Sequence, residues 1–205
     1  MAEEGRLNPL ARVLRGARDD LNRVGIPWAL IGGLAVAVRA EPRFTRDVDL
    51  AVAVADDREA EDLIFQLQGF GYQIVTCLEH EVTGRLATIR LMPPVGKSEP
   101  AVILDLLFAS SGIEPEIVAN ATPVEVFAGM VLPVASTGDL IALKLLARDD
   151  RRRPQDYDDL VNLCRDASES DVERAREALR LMVERDCHRN RELLRALEQF
   201  LSEAV

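Results

Sequence analysis

The chain has 205 residues, of which 48% are apolar and 29% charged, with a formal net charge of −10. That is enough apolar material for a packed core, which excludes wholesale disorder. The charge is too acidic for a broad non-specific grip on nucleic acid, leaving only local basic patches to meet RNA or a nucleotide phosphate.

In chain order, Leu10, Val13, Leu14, Ala17, Leu21 and Val24 recur at helical spacing. They predict an amphipathic helix over 7–24, ended by Gly25 with Pro27 beyond it. A short apolar strand, 28–31, runs into Gly32-Gly33, and a short helix follows at 34–40. The connector 41–46 leads into a strand at 48–54. Asp56 and Asp57 are placed to cap a helix over 57–68 that stops at Gly69 and Gly71. Residues 72–77 and 86–92 alternate or run apolar with β-branched side chains and read as strands. A turn-rich loop, 93–100, precedes a strand at 101–108. Residues 110–116 read as a loop, followed by short extended pieces near 117–118, 124–127 and 131–134.

From Ser136 the pattern becomes helical. Ser136 or Thr137 is an N-cap with Asp139 in the first turn, and further helices are predicted at 155–165, 170–185 and 188–203. Arg151-Arg152-Arg153 falls in the connector between two of them and reads as a solvated loop or a phosphate contact. The expected class is α+β: a mixed sheet flanked by helices over 1–135, then an all-helical C-terminal region over 136–205. Cys77, Cys164 and Cys187 lack CxxC or zinc spacing and read as reduced thiols. No run approaches the roughly 18 apolar residues of a membrane span. The acidic start of the chain lacks the apolar stretch of a secretory signal. A cytoplasmic protein without a membrane partner is the expectation. His80 and His188 have no ligand or triad partner pattern and are assigned to surface structure; Trp28 is assigned to the core.

Three acids carry the chemical interest. Asp47 and Asp49 stand two apart at the mouth of a strand, so both side chains point to one face. They repel unless a cation or proton lies between them; a solvated strand end would satisfy them equally well. Asp105 sits in VILDLLF, where an unpaired carboxylate costs several kcal/mol. It needs a partner, either Arg46 or Arg90 in a structural ion pair, or a metal shared with Asp47 and Asp49 on a neighbouring strand. Clustered oxygens on rigid strands suit Mg²⁺, and two such ions about 3.5–4 Å apart form the clamp used in phosphoryl and nucleotidyl transfer. Gly32-Gly33, between a strand and a helix, allows close backbone approach and offers free N–H groups to a phosphate. Lys144 reads as a snorkelling surface lysine, a phosphate contact, or the ion-pair partner of Asp156.

The order strand, Gly-Gly, short helix, Arg43-x-Thr45-x-Asp47-x-Asp49 resembles the nucleotidyltransferase superfamily with the DNA polymerase β-like fold. More narrowly, it is similar to the AbiEii-type nucleotidyltransferases, toxins of abortive-infection type IV toxin–antitoxin systems. That family also carries a helical lysine and a later Asp, matched by Lys144 and Asp156, with Asp159 following on the same helix face. The resemblance spans roughly residues 26–165. It departs at Pro42, where many members carry His. It implies an Mg²⁺-dependent transfer of a nucleoside monophosphate from an NTP to an acceptor hydroxyl. The acceptor would be RNA such as tRNA, or protein, and a cognate antitoxin is implied as a partner. Asp47, Asp49 and Asp105 would hold two metal ions, with Lys144 joining them as a catalytic residue. Gly32, Gly33, Arg43, Thr45, Lys144 and Asp156 would line the nucleotide site. The alternatives are a silent NTP- or partner-binding fold and a small-molecule, antibiotic-type nucleotidyltransferase.

Overall fold

The computed structural model describes residues 8–94, 102–149 and 154–204. Its first helix, α1 (Pro9–Val24), starts with Pro9 in the first turn and Asn8 Oδ1 accepting from the Leu10 N–H at 3.0 Å. It buries Val13, Leu14, Ala17 and Leu21 and ends at Gly25 with φ +82°, a left-handed cap that glycine adopts without strain. Strand β1 (Trp28–Ile31) is wholly buried and passes directly into α2 (Gly32–Arg39). The Gly-Gly pair is therefore the first turn of the helix itself. Next come β2 (Val48–Val52), α3 (Asp57–Gly69), and the strands β3 (Gln73–Glu79), β4 (Leu86–Met92) and β5 (Leu104–Leu107). Asp56 caps α3 as expected, accepting from the Glu59 N–H at 3.0 Å.

The region of 110–118 departs from expectation. A helix, α4 (Glu114–Asn120), stands where a loop and an extended piece were predicted. Pro115 in its first turn, flanked by the acids Glu114 and Glu116, favours a helix start, and Ile117 is buried. Strands β6 (Thr122–Phe127) and β7 (Met130–Val134) then form a hairpin. The helices α5 (Thr137–Ala147), α6 (Pro154–Arg165), α7 (Glu169–Glu184) and α8 (Leu193–Ala204) complete the chain. The last begins five residues later than predicted. Asp186, Arg189 and Asn190 take φ of 56°, 53° and 54°, and a right-handed helix cannot run through such residues. The run Arg151-Arg152-Arg153 lies outside the described residues.

The strands form one mixed sheet in the order β3-β4-β5-β2-β1-β7-β6. Its centre holds two parallel pairs, β2 with β5 and β1 with β7, joined by the antiparallel pair β1 and β2. Strand β2 thus lies between β1 and β5, and Asp49 has a neighbour on each side. The core runs without interruption from Leu30, Leu50 and Leu106 of the sheet to Leu140, Ile141 and Leu145 of α5. Helix α5 packs against α6, α7, α8 and α2. At its start Ser136 caps the helix, and the fully buried Asp139 accepts from Ser136 Oγ at 2.7 Å and Arg174 Nε at 2.8 Å. Trp28 is buried, as expected, its indole N–H donating to Asn22 Oδ1. His80, assigned to the surface, is buried beside the turn after β3; its Nδ1 accepts from the Thr83 N–H, which ties the ring to the hairpin instead of to solvent. Among the described residues no helix is long and apolar enough to cross a membrane.

Candidate active site

Register across the centre of the sheet assembles the acids. Ile31 lies opposite Asp49, Asp49 opposite Asp105, and Asp105 opposite Arg90. Residues paired this way share a face, so β1, β2, β5 and β4 present one row: Ile31, Asp49, Asp105, Arg90. Asp47, two residues before Asp49, adds its carboxylate to the same face. The row opens into a cleft of about 730 Å³ whose walls also include Gly32, Gly33, Arg43, Thr45, Lys144 and Asp156. Every residue assigned to the site from sequence is therefore in one cleft.

Electrostatics within the row is uneven. Asp105 is buried and gives both oxygens to Arg90, at 2.9 Å from Nε and 2.7 Å from Nη2. This is the fork geometry of the strongest carboxylate pairs, and Arg90, not Arg46, is its partner. Those hydrogen bonds raise the Arg90 pKa further. Asp49 is pushed up to about 6, first by burial and then by the charges of Asp105 and Asp47; Lys144 and Arg90 pull it partly back. Gly32 turns with φ +66°, and a Cβ there would stand 2.1 Å from Asp49 Oδ2. Only glycine lets the backbone lie against that carboxylate. A Cβ on Gly33 would reach Arg43 Nη2 at 2.6 Å and Thr45 Oγ1 at 2.9 Å, so the second glycine seats the Arg-x-Thr segment. No side chain caps the start of α2, which leaves its first N–H groups for another acceptor.

On the opposite wall Lys144 lies between two acids, its Nζ 2.7 Å from Asp156 Oδ1 and 2.6 Å from Asp159 Oδ2. Asp159 Oδ1 is also 2.8 Å from Arg43 Nε. One buried carboxylate of α6 thus ties α5 to the connector ahead of β2. Of the three sequence readings for Lys144, the pairing with Asp156 is present. Asp156 keeps one buried oxygen, Oδ2, without a hydrogen bond. The weight carried by Asp159 was missed in the sequence, although its spacing from Asp156 put both on one helix face. Phe44, Ser110, Ser111 and Arg189 also line the cleft, marked by neither motif nor period, as does Arg46, which the sequence offered only as a partner for Asp105.

The chemistry of the donor set fits a hard divalent cation at Asp47 and Asp49. Neither side chain has an ion-pair or hydrogen-bond partner among the described residues, and the two repel on one face. Asp105 fits only if Arg90 releases or shares it. Among the described residues no three Asp, Glu, His or Cys side chains already surround a common point for an ion.

The mixed sheet thus carries its acids on adjoining central strands beside a helix that starts at Gly32, the arrangement that the resemblance to the nucleotidyltransferases implied. Residues 17–205 match the family model described as nucleotidyl transferase AbiEii toxin, type IV TA system, and the chain belongs to that family. No curated protein matches it. Among solved structures it is similar to JHP933 from Helicobacter pylori, with 16% identity, TM-score 0.48 and coverage of 97% of this chain and 92% of that one. The antibiotic-resistance factor ANT(2'')-Ia, in complex with adenylyl-2''-tobramycin, gives 16% identity, TM-score 0.48 and coverage of 97% and 100%. MenT4, a nucleotidyltransferase toxin from Mycobacterium tuberculosis H37Rv, gives 15% identity, TM-score 0.35 and coverage of 94% and 92%.

Proposed function

We propose that this cleft transfers a nucleoside monophosphate from an Mg²⁺-bound NTP to an acceptor hydroxyl on RNA or protein, as the toxin of a toxin–antitoxin pair acting in the cytoplasm. The observation that carries the reading is the side-by-side register of Asp49 and Asp105 on parallel strands, next to the uncapped start of α2. Asp47 and Asp49 would hold the metal, with Asp105 as a third ligand once Arg90 lets go. Bound there, Mg²⁺ would neutralise the triphosphate and polarise the phosphorus under attack. Gly32 and Gly33 bring backbone N–H groups to the β- and γ-phosphates. Thr45 stands against Gly33 with its hydroxyl on the same side, and Arg43 is held there by Asp159. Asp105, once released from Arg90, would take the proton of the acceptor hydroxyl. That oxygen bonds to the α-phosphorus, the bond to the bridging oxygen breaks, and pyrophosphate leaves. Lys144 supplies positive charge from the facing wall, held in place by its two acids. The work is positioning and electrostatics.

The test is to incubate the protein and Mg²⁺ with cell lysate and an NTP labelled at either the α- or the γ-phosphate. Transfer of α-label alone to RNA or protein is the expected result. Transfer of γ-label would make the enzyme a kinase. Binding of NTP with no transfer from any of the four nucleotides would contradict the proposal.

A further inference from the structure

The cleft contains one feature that the transfer chemistry does not use. Phe44 stands on its wall and is 76% exposed. A singly exposed aromatic ring is common on a protein surface; this one differs from the equally exposed Phe65 in lying on the wall of the cleft, beside a guanidinium. The ring is not on a loose segment. Its neighbour Arg43 is fixed through Nε to Asp159 at 2.8 Å, and Arg43 Nη1 donates to the Phe44 carbonyl at 3.1 Å. On the other side Thr45 Oγ1 donates to the Asp47 carbonyl at 3.4 Å. The backbone is pinned on both flanks and holds the ring out.

Arg46 stands beside it. Its guanidinium lies 5.6 Å from the ring centroid, and no carboxylate among the described residues is within ion-pair distance of it. An exposed ring with an adjoining guanidinium is a flat, electron-rich and cationic surface. Such surfaces bind planar heterocycles by stacking, with the cation close to accompanying phosphates. An apolar protein partner would call for more apolar surface around the ring than Arg43, Thr45, Arg46 and Asp47 provide.

We propose that Phe44 and Arg46 form a stacking shelf for a nucleobase at the cleft wall. The proposal rests on the nucleotidyl-transfer reading and adds to it where a base is held. The base would come from the incoming NTP or from an RNA acceptor, since both present the same planar ligand.

Phe44→Trp places an indole at the shelf, with the buried Trp28 as an internal reference. The variant is titrated with each Mg²⁺–NTP, with Mg²⁺–tripolyphosphate, which has the phosphates but no base, and with a short single-stranded RNA. Quenching by a base-bearing ligand but not by tripolyphosphate is expected. Quenching by an NTP assigns the shelf to the substrate; quenching by RNA alone assigns it to the acceptor. Phe44→Ala should weaken binding of the same ligand about 5- to 100-fold, as loss of one stacked base does, and Phe44→Tyr should restore it. Both variants should melt with the wild type, because the ring is exposed. The shelf is overturned if wild type binds NTP or RNA while the indole gives no response to either and Phe44→Ala binds as tightly. If wild type binds neither, the nucleotidyl-transfer reading falls, and the shelf with it.

Discussion

At Gly32 the backbone turns with positive φ while lying against the Asp49 carboxylate. Gly32→Ala would add both a strained conformation and a clash. We expect a loss of about 2–4 kcal/mol, read from urea midpoints, and no transfer activity. At Gly33 the backbone φ is ordinary and the neighbouring atoms are side-chain atoms of Arg43 and Thr45, so Gly33→Ala should cost less stability than Gly32→Ala while displacing the Arg-x-Thr segment and weakening NTP binding. Asp49 gives a pH dependence of definite sign. Its folded pKa of about 6 lies above the ordinary 3.8, so the folded protein holds this proton more tightly. The stability it contributes is full below about pH 4 and is lost as pH rises through about 6. In chelator, Asp49→Asn should therefore match wild type near pH 4 and exceed it by at most about 3 kcal/mol at pH 7. A wild type that is the more stable at pH 7 would show that the three acids do not repel. The pairing of Asp47 with Asp49 on one face was legible in the sequence, because strand periodicity alone fixes it. The fork from Arg90 to Asp105 was only one of two options, because the choice between Arg46 and Arg90 depends on strand register, which no local pattern carries.

Among the elements, α6 does more than its own sequence shows. Asp159, nearly inaccessible to water, meets Lys144 of α5 and Arg43 of the connector before β2. Asp159→Asn would leave Arg43, a quarter exposed, without its carboxylate and Lys144 with Asp156 alone. A loss of about 1–3 kcal/mol is expected in denaturant melts, with loosening of the segment that bears Thr45 and Asp47. The exposed neighbour is the control: Asp158→Asn should change stability by less than about 0.5 kcal/mol. If the two variants melt alike, the four-residue charge network has no structural weight. Long periodic helices and β-branched strands were read from sequence to within a few residues. The errors fell at α4 and α8. At α4 seven residues gave too little period to outweigh the turn residues around them. At α8 the left-handed Arg189 and Asn190 delay the start; arginine rarely takes that conformation, and the weak preference of asparagine for it did not outweigh the helical period.

Over the whole molecule, the site joins residues 31–49, Arg90 and Asp105 of the sheet with Lys144, Asp156 and Asp159 of α5 and α6, so the cleft exists only when the sheet and the C-terminal helices are together. The division at residue 135 separates a sheet-bearing part from a helical one, and we propose that the two do not fold apart. Leu140, Ile141 and Leu145 belong to the same core as Leu30 and Leu50, so a chain ending at residue 135 should expose that surface. Loss of a sharp thermal transition and binding of a hydrophobic dye are the expected observations. A cooperative melt of the fragment would instead establish two domains. The class of fold was legible because five short motifs came in the right order; the strand order that turns them into one cleft was not, since it is set by packing across the chain. The account stands on Asp47, Asp49 and Asp105 working as one site. Its most direct test is the release of pyrophosphate from an NTP with retention of the α-label on an acceptor, measured for wild type, Asp47→Asn and Asp105→Asn in parallel. We predict metal-dependent release and retention in equal amounts for wild type, and neither for the two folded variants. Equal transfer by wild type and both variants would contradict the account.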